Sequence, residues 1–231
     1  MTYLAFLFGV CALLALWRFN VRELARVHGE RARMFDSCLS LFDRVQTVAD
    51  RSGFPTLSGR YRGHEIKLRT IVDAVGFRKF PSLWLQADLQ SPTGIDGVLD
   101  LLVRPQNIEF YSPSADLPEI LPLPSAWPAF ATLRANNRTV LPVLAVLTPH
   151  VVRLFAHPQA KELLITPLGV RIVYQLTQSV AAHYLVLRAA KFESLDVAQD
   201  LLTPLLEQAL SIHAALSGTE PCTGNNIARA A

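Results

Sequence analysis

The sequence predicts an α+β fold in which an N-terminal transmembrane helix precedes an antiparallel sheet built from β-hairpins and covered by helices. Three observations predict it. The chain opens on seventeen residues without a charge, MTYLAFLFGVCALLALW. Two later stretches, LSGRYRGHEIKLRTIV and KELLITPLGVRIVYQL, alternate apolar and polar residues around a turn signal. Leucine-rich runs at helical spacing lie at 139–158 and in the closing stretch after Ser194.

The opening run lacks a basic n-region and ends Ala-Leu-Trp-Arg-Phe, without the small residues that precede a signal cleavage site. It is apolar on every face, with Tyr3 and Trp17 at its ends, as an interfacial aromatic belt requires. Five of the 22 basic residues follow it (Arg18, Arg22, Arg26, Arg31, Arg33). By the positive-inside rule this places the C-terminal domain in the cytoplasm, single-pass, at the inner (plasma) membrane, with the bilayer as partner through residues 1–17. The anchor is assigned to residues 1–20 and a juxtamembrane helix to 21–53. In that helix Leu24, Val27, Met34, Phe35, Cys38, Leu41, Phe42, Val45 and Val48 recur near the helical period, and Gly53 and Pro55 stop it. Whether that helix dimerises is left open.

The α+β domain follows over residues 54–218, in halves of about 54–104 and 139–218. In the first half, a turn at Gly63 places Leu57, Tyr61, Ile66 and Leu68 on one face of a hairpin. The other face carries Arg60, Arg62, Lys67 and Arg69, relieved by Glu65, and the VGFRKFP loop adds Arg78 and Lys79. These six are the candidate contacts for an anionic surface, either lipid headgroups or an acidic partner. PSLWLQADLQ and GVLDLLVRP read as further strands.

Prolines at 105, 113, 118, 122, 124, 128 and 142 make 105–138 a loop. Phe110, Tyr111, Leu117, Ile120 and Trp127 make it too apolar to be a disordered linker, and FATLRA within it is a candidate strand. TVLPVLAVLTPHVVRLFAHP reads as a helix with Thr148-Pro149 as cap and first residue. In the second hairpin, Pro167 and Leu168 suit the middle of the turn and Gly169 a left-handed bulge position. AHYLVLRA reads as one more strand. Ser194 is the expected cap of a closing helix that Pro204 kinks and Gly218 ends, and 219–231 is a tail. The two halves thus suggest a duplicated α-β-β-β unit.

RYRGHEIKLR, together with FATLRA, the leucine-rich helix and KELLITPLGVRI after it, resembles families of membrane-tethered bacterial proteins of unknown function, over residues 55–176. The resemblance implies fold and tethering, and no activity.

Composition narrows the function. The chain is 51% hydrophobic and 18% charged, enough to bury a sizeable core, and its net charge of +3 comes from the cluster after the opening run. Nucleic acid is therefore not an expected partner. Cys11, Cys38 and Cys222 lack disulfide or zinc spacing. His150 and His157 are two helical turns apart, about 10.5 Å, too far to share a metal. Asp196 and Asp200, at i and i+4, suit a helix start. No nucleophile elbow, P-loop, dinucleotide fingerprint or HExxH is present. The sequence therefore points to a binding or accessory module without catalytic residues, cofactor or metal, acting with a protein partner at the membrane. The alternatives are a lipid or apolar-ligand binding domain with residues 105–138 as lid, and a membrane-bound enzyme of unfamiliar type.

Overall fold

A computed structural model describes residues 2–73, 81–103, 111–179, 192 and 195–218. It is a mixed helix and antiparallel-sheet fold. Helix α1 spans Thr2–Ala32, and a 3-10 turn covers Asp36–Leu41. Strands β1 (Asp43–Ala49), β2 (Pro55–Tyr61), β3 (His64–Asp73), β4 (Ser82–Gln90) and β5 (Leu99–Val103) follow. Next come a 3-10 turn at Pro113–Asp116, β6 (Glu119–Leu121), β7 (Ala131–Ala135), a 3-10 turn at Arg138–Val140 and helix α2 (Val143–Phe155). The chain then forms β8 (Ala160–Thr166), β9 (Gly169–Gln178) and a closing helix, α3 (Gln199–Ser217). The nine strands form one sheet in the order β1-β2-β3-β4-β9-β8-β5-β7-β6.

The β2–β3 hairpin turns through Arg62 and Gly63, both with positive φ (47° and 84°), the combination of a type I′ turn that matches strand twist. Tyr61 pairs with His64 beside it, and the register carries Leu57 opposite Leu68. In the β8–β9 hairpin, Thr166 pairs directly with Gly169 across the two-residue link Pro167-Leu168. Gly169 is not in a left-handed conformation. Its reason is close approach, since a Cβ there would meet the Leu89 carbonyl oxygen at 2.0 Å. That contact lies where β9 pairs with β4 and joins the two halves.

One sheet face carries Leu57, Leu68, Leu85, Ile172, Leu163 and Leu133, all buried. Helix α2 covers it with Val143, Leu147, Val151 and Leu154, and α3 with Leu202, Leu206, Ala209, Ile212 and Leu216. Met34, Phe35 and Cys38 close one end of this core. Strand β4 is buried on both faces: Trp84 joins Ile71 and Val173 in a small second cluster, with Tyr111 packed against it.

Several expectations are corrected. Among the described residues no helix is long and apolar enough to cross a membrane. The uncharged run reaches only roughly 26 Å against about 30 Å of hydrocarbon, and Arg18, Arg22 and Glu23 follow at once in α1. The transmembrane anchor over 1–20 and the single-pass inner-membrane localisation with a cytoplasmic domain are therefore not supported. The helix expected to run to residue 53 ends at Ala32, and residues 43–49 form an edge strand whose register with β2 prevails over a chance three-residue spacing of Phe42, Val45 and Val48. Helix α2 starts at Val143 with Pro142 at its cap, which leaves Pro149 inside; Thr148 instead donates to the Leu144 carbonyl at 2.8 Å. The proline-rich segment supplies β6 and β7 at the far sheet edge. Strand β9 lies between β8 and β4, and the third strand that a duplicated α-β-β-β unit requires falls outside the described residues. The strand expected over 182–189, the Ser194 cap and the tail lie outside the described residues.

Candidate functional site

On the helix face of the sheet, α2, α3 and Tyr174 of β9 enclose a cleft of about 370 Å³, within the range of small-molecule sites. Its floor is apolar: Leu154 from α2, and Leu201 and Leu205 from the first turns of α3, with the exposed Pro204 at its edge. Pro204 is tolerated six residues into α3, and having no N–H it leaves the Asp200 carbonyl without its usual intrahelical donor beside the cleft. Arg153, His157, Asp200 and Ser211 stand at the rim. The side chains of Arg153, His157, Asp200 and Ser211 have no partner among the described residues, whereas Glu207 and Gln208 are committed. Glu207 accepts from Tyr61 and Arg62, and Gln208 donates to the His150 carbonyl at 3.2 Å. Burial pushes the Tyr174 phenol above its ordinary range and, with the charge of Arg153 beside it, holds the His150 imidazole below its own.

Residues 111–138 do not border this cleft. Tyr111 borders a second hollow of about 490 Å³, with Asp50, Phe54, Arg69 and Ile71. It is the larger of the two and the more open. The cleft between α2 and α3, with apolar lining and uncommitted rim groups, is the better ligand site.

The opposite sheet face carries the residues named as anionic-surface contacts. Arg60 pairs with Glu65 at 2.9 Å. Lys67 lies opposite Asp88 in the register. Arg69 donates to Gln86 at 2.9 Å, and Gln86 to Asp88 at 2.7 Å. Asp88 also accepts from Arg171 at 2.5 Å. Arg62 sits in the turn and reaches Glu207 of α3, away from the other three. Arg78 and Lys79 lie outside the described residues. Arg60, Lys67 and Arg69 are thus brought together, interleaved with carboxylates.

The same face holds a pair that the sequence reading missed. Asp100 of β5 and Glu162 of β8 are both fully buried. Asp100 opposes Leu164 and Glu162 opposes Leu102, so the two acids are diagonal neighbours on one face. Ser112 donates to Asp100 Oδ2 at 3.2 Å, but among the described residues no donor reaches Asp100 Oδ1 or either oxygen of Glu162. Burial raises Asp100 to about 6, against the pull of Ser114, Ser112 and Arg171. Burial, then the charge of Asp100, raises Glu162 to about 8. The available signal was a lone acid inside each apolar run, LDLLV and AKELLI.

No family model and no curated protein matches the sequence. Among solved structures, the chain is similar to the mycobacterial trehalose monomycolate transport factor A, TtfA, with 11% identity over 83% of this chain and 95% of that one and a TM-score of 0.43. A likeness at that level transfers no function.

Proposed function

We propose that the chain is a noncatalytic binding domain whose ligand is a lipid-like amphipathic anion held in the cleft between α2 and α3. The observation that carries this reading is the combination of an apolar floor (Leu154, Leu201, Leu205) with two uncommitted donors at its rim, Arg153 and His157. An acyl chain removes that floor from water at roughly 25 cal/mol per Å². A carboxylate or phosphate head accepts from the guanidinium, and the Asp200 carboxylate at the same rim disfavours a second negative charge. The polar rim orients; the leucines hold.

Titration with a dansyl-labelled fatty acid tests the reading. We expect saturable fluorescence, displaced by the unlabelled acid more strongly than by the matched alcohol. Arg153→Glu and Leu201→Glu should each weaken binding about tenfold or more, a difference of about 1.4 kcal/mol. Affinity unchanged in both folded variants would eliminate the cleft as the site.

A further inference from the structure

The buried acids lie on the other side of the sheet from the cleft and are not used by the function proposed above. Five elements meet at them. Strand β5 supplies Asp100 and β8 supplies Glu162. Strand β7 places Arg134 opposite Asp100, but its guanidinium donates to the Leu117 carbonyl at 3.1 Å. Strand β9 brings Arg171, which is bound to Asp88 of β4. The fifth element is the segment 111–117. Ser112 donates to Asp100 while its hydroxyl oxygen accepts from the Ser114 backbone N–H at 3.1 Å, Ser114 and Leu117 are buried, and Asp116 points to solvent. Among the described residues, both nearby cations bond other acceptors, three carboxylate oxygens have no donor, and the buried Ser114 hydroxyl has no partner either.

Two carboxylates this close and this dry cannot both be ionised without a large desolvation and repulsion cost. A proton on one of them supplies the missing donor, because a carboxylic acid on Glu162 can give its O–H to Asp100 Oδ1. That satisfies two of the three orphan oxygens at once and leaves Asp100 accepting from both Glu162 and Ser112.

We propose that Asp100 and Glu162 hold one proton between them and that this shared proton latches residues 111–117 onto the sheet, so that its loss at alkaline pH frees the segment. The strands are locked by ladder hydrogen bonds on both sides, β5 between β7 and β8, and β8 between β5 and β9. Besides the Ser112–Asp100 contact, the cap is held by the Arg134–Leu117 bond, the buried Ser114 and Leu117 side chains and the Tyr111 ring against Trp84, and it has no ladder bond to the sheet among the described residues. When a second negative charge appears below it, lifting that short turn hydrates both carboxylates and disrupts no strand, so it is the lowest-energy local opening. The raised ionisation of Glu162, about 8, sets where the opening falls.

Hydrogen–deuterium exchange on the full chain tests this. The pH should run from about 6 to about 9, corrected for intrinsic exchange, with residues 111–117 followed against α3. We expect protection of 111–117 to fall about tenfold or more across that range while α3 keeps its own. Glu162→Gln, which carries a permanent donor for Asp100, should hold the segment protected at both ends of the range. If that variant does not fold, Asp100→Asn makes the same test. Protection independent of pH in the native chain, or a pH dependence that survives both substitutions, overturns the latch. So does restoration of protection at about pH 9 by added calcium or magnesium, because the pair would then be a cation site.

Discussion

Tyr61 donates its phenolic hydroxyl to Glu207 Oε1 at 2.5 Å, tying the tip of the first hairpin to the middle of α3. Arg62, in the turn itself, bonds the other oxygen of the same carboxylate at 2.9 Å. The two bonds are unequal. Tyr61 is buried, whereas the Arg62 side chain is 65% exposed and its ion pair is screened by solvent. Tyr61→Phe should therefore lower unfolding stability by about 1 kcal/mol, and Arg62→Ala by less than about 0.5 kcal/mol. Glu207→Ala leaves the Tyr61 hydroxyl without an acceptor and should cost about 1–3 kcal/mol. Urea midpoints of the three variants check the order; equal losses would mean the clasp is wholly exposed.

Gly169 offers the sharpest backbone test. A methyl group there would sit 2.0 Å from the Leu89 carbonyl oxygen and 3.1 Å from its carbon, both main-chain atoms inside the β4–β9 ladder. No rotamer relieves that clash, so β9 must move off β4 at the seam of the sheet. Gly169→Ala should cost about 3 kcal/mol or more. Gly63→Ala strains a left-handed turn position but meets no atom within 4 Å, so it should cost only about 1 kcal/mol. A thermal-melt comparison of the two variants separates close approach from turn conformation.

Where the sequence was legible, one face of an element was buried and the other was wet. The 57–70 hairpin is such a case: Leu57, Ile66 and Leu68 are buried and Arg60, Glu65 and Lys67 are not, so a period of two is visible. Strand β1 is the opposite case. It is an edge strand with every side chain exposed except the half-buried Val45, so no face marks it, and the apolar residues before it continued the pattern of α1. Asp100 and Glu162 were invisible for another reason. Each is an unremarkable acid in its own strand, and only the β5–β8 register makes them neighbours. The cleft likewise depends on two helices that are separated in sequence by a hairpin.

Cys38 gives a test of the packing between the Asp36–Leu41 turn and the residues leading into α3. Its thiol is fully buried and donates to the Val197 carbonyl at 2.8 Å, an acceptor it shares with the Ser37 hydroxyl. Burial raises the thiol above its ordinary range, and the nearby Asp196 charge adds to the shift. Cys11 is exposed on α1. In a Cys222→Ser background, one thiol should react with Ellman's reagent within the mixing time of an ordinary assay. The second should react only at the rate of local opening or in denaturant. Cys11→Ser should abolish the fast phase, and a fast phase that persists would mean that Val197 does not cover Cys38.

The buried acids fix the sign of a global pH dependence that is separable from the local opening of 111–117. An unfolded chain releases the Glu162 proton near 4.5 and the folded chain near 8, so between those values the native state holds more protons than the unfolded state. Asp100 acts in the same direction, from 3.8 to about 6. Stability from this pair is therefore fully present below about pH 4, is lost as pH rises, and levels off above about pH 8. Ordinary salt-bridged carboxylates push the other way, losing stability on acidification, so the native profile is the sum of two opposed slopes. Glu162→Gln removes the alkaline loss, because a neutral amide on β8 donates to Asp100 at every pH and is never forced to charge. Its unfolding free energy should exceed that of the native chain at about pH 9 and approach it at about pH 5. Guanidinium titrations at the two pH values measure the crossover. A variant less stable than the native chain at alkaline pH would mean that Glu162 is ionised and stabilising there, held by a positive partner rather than by a proton.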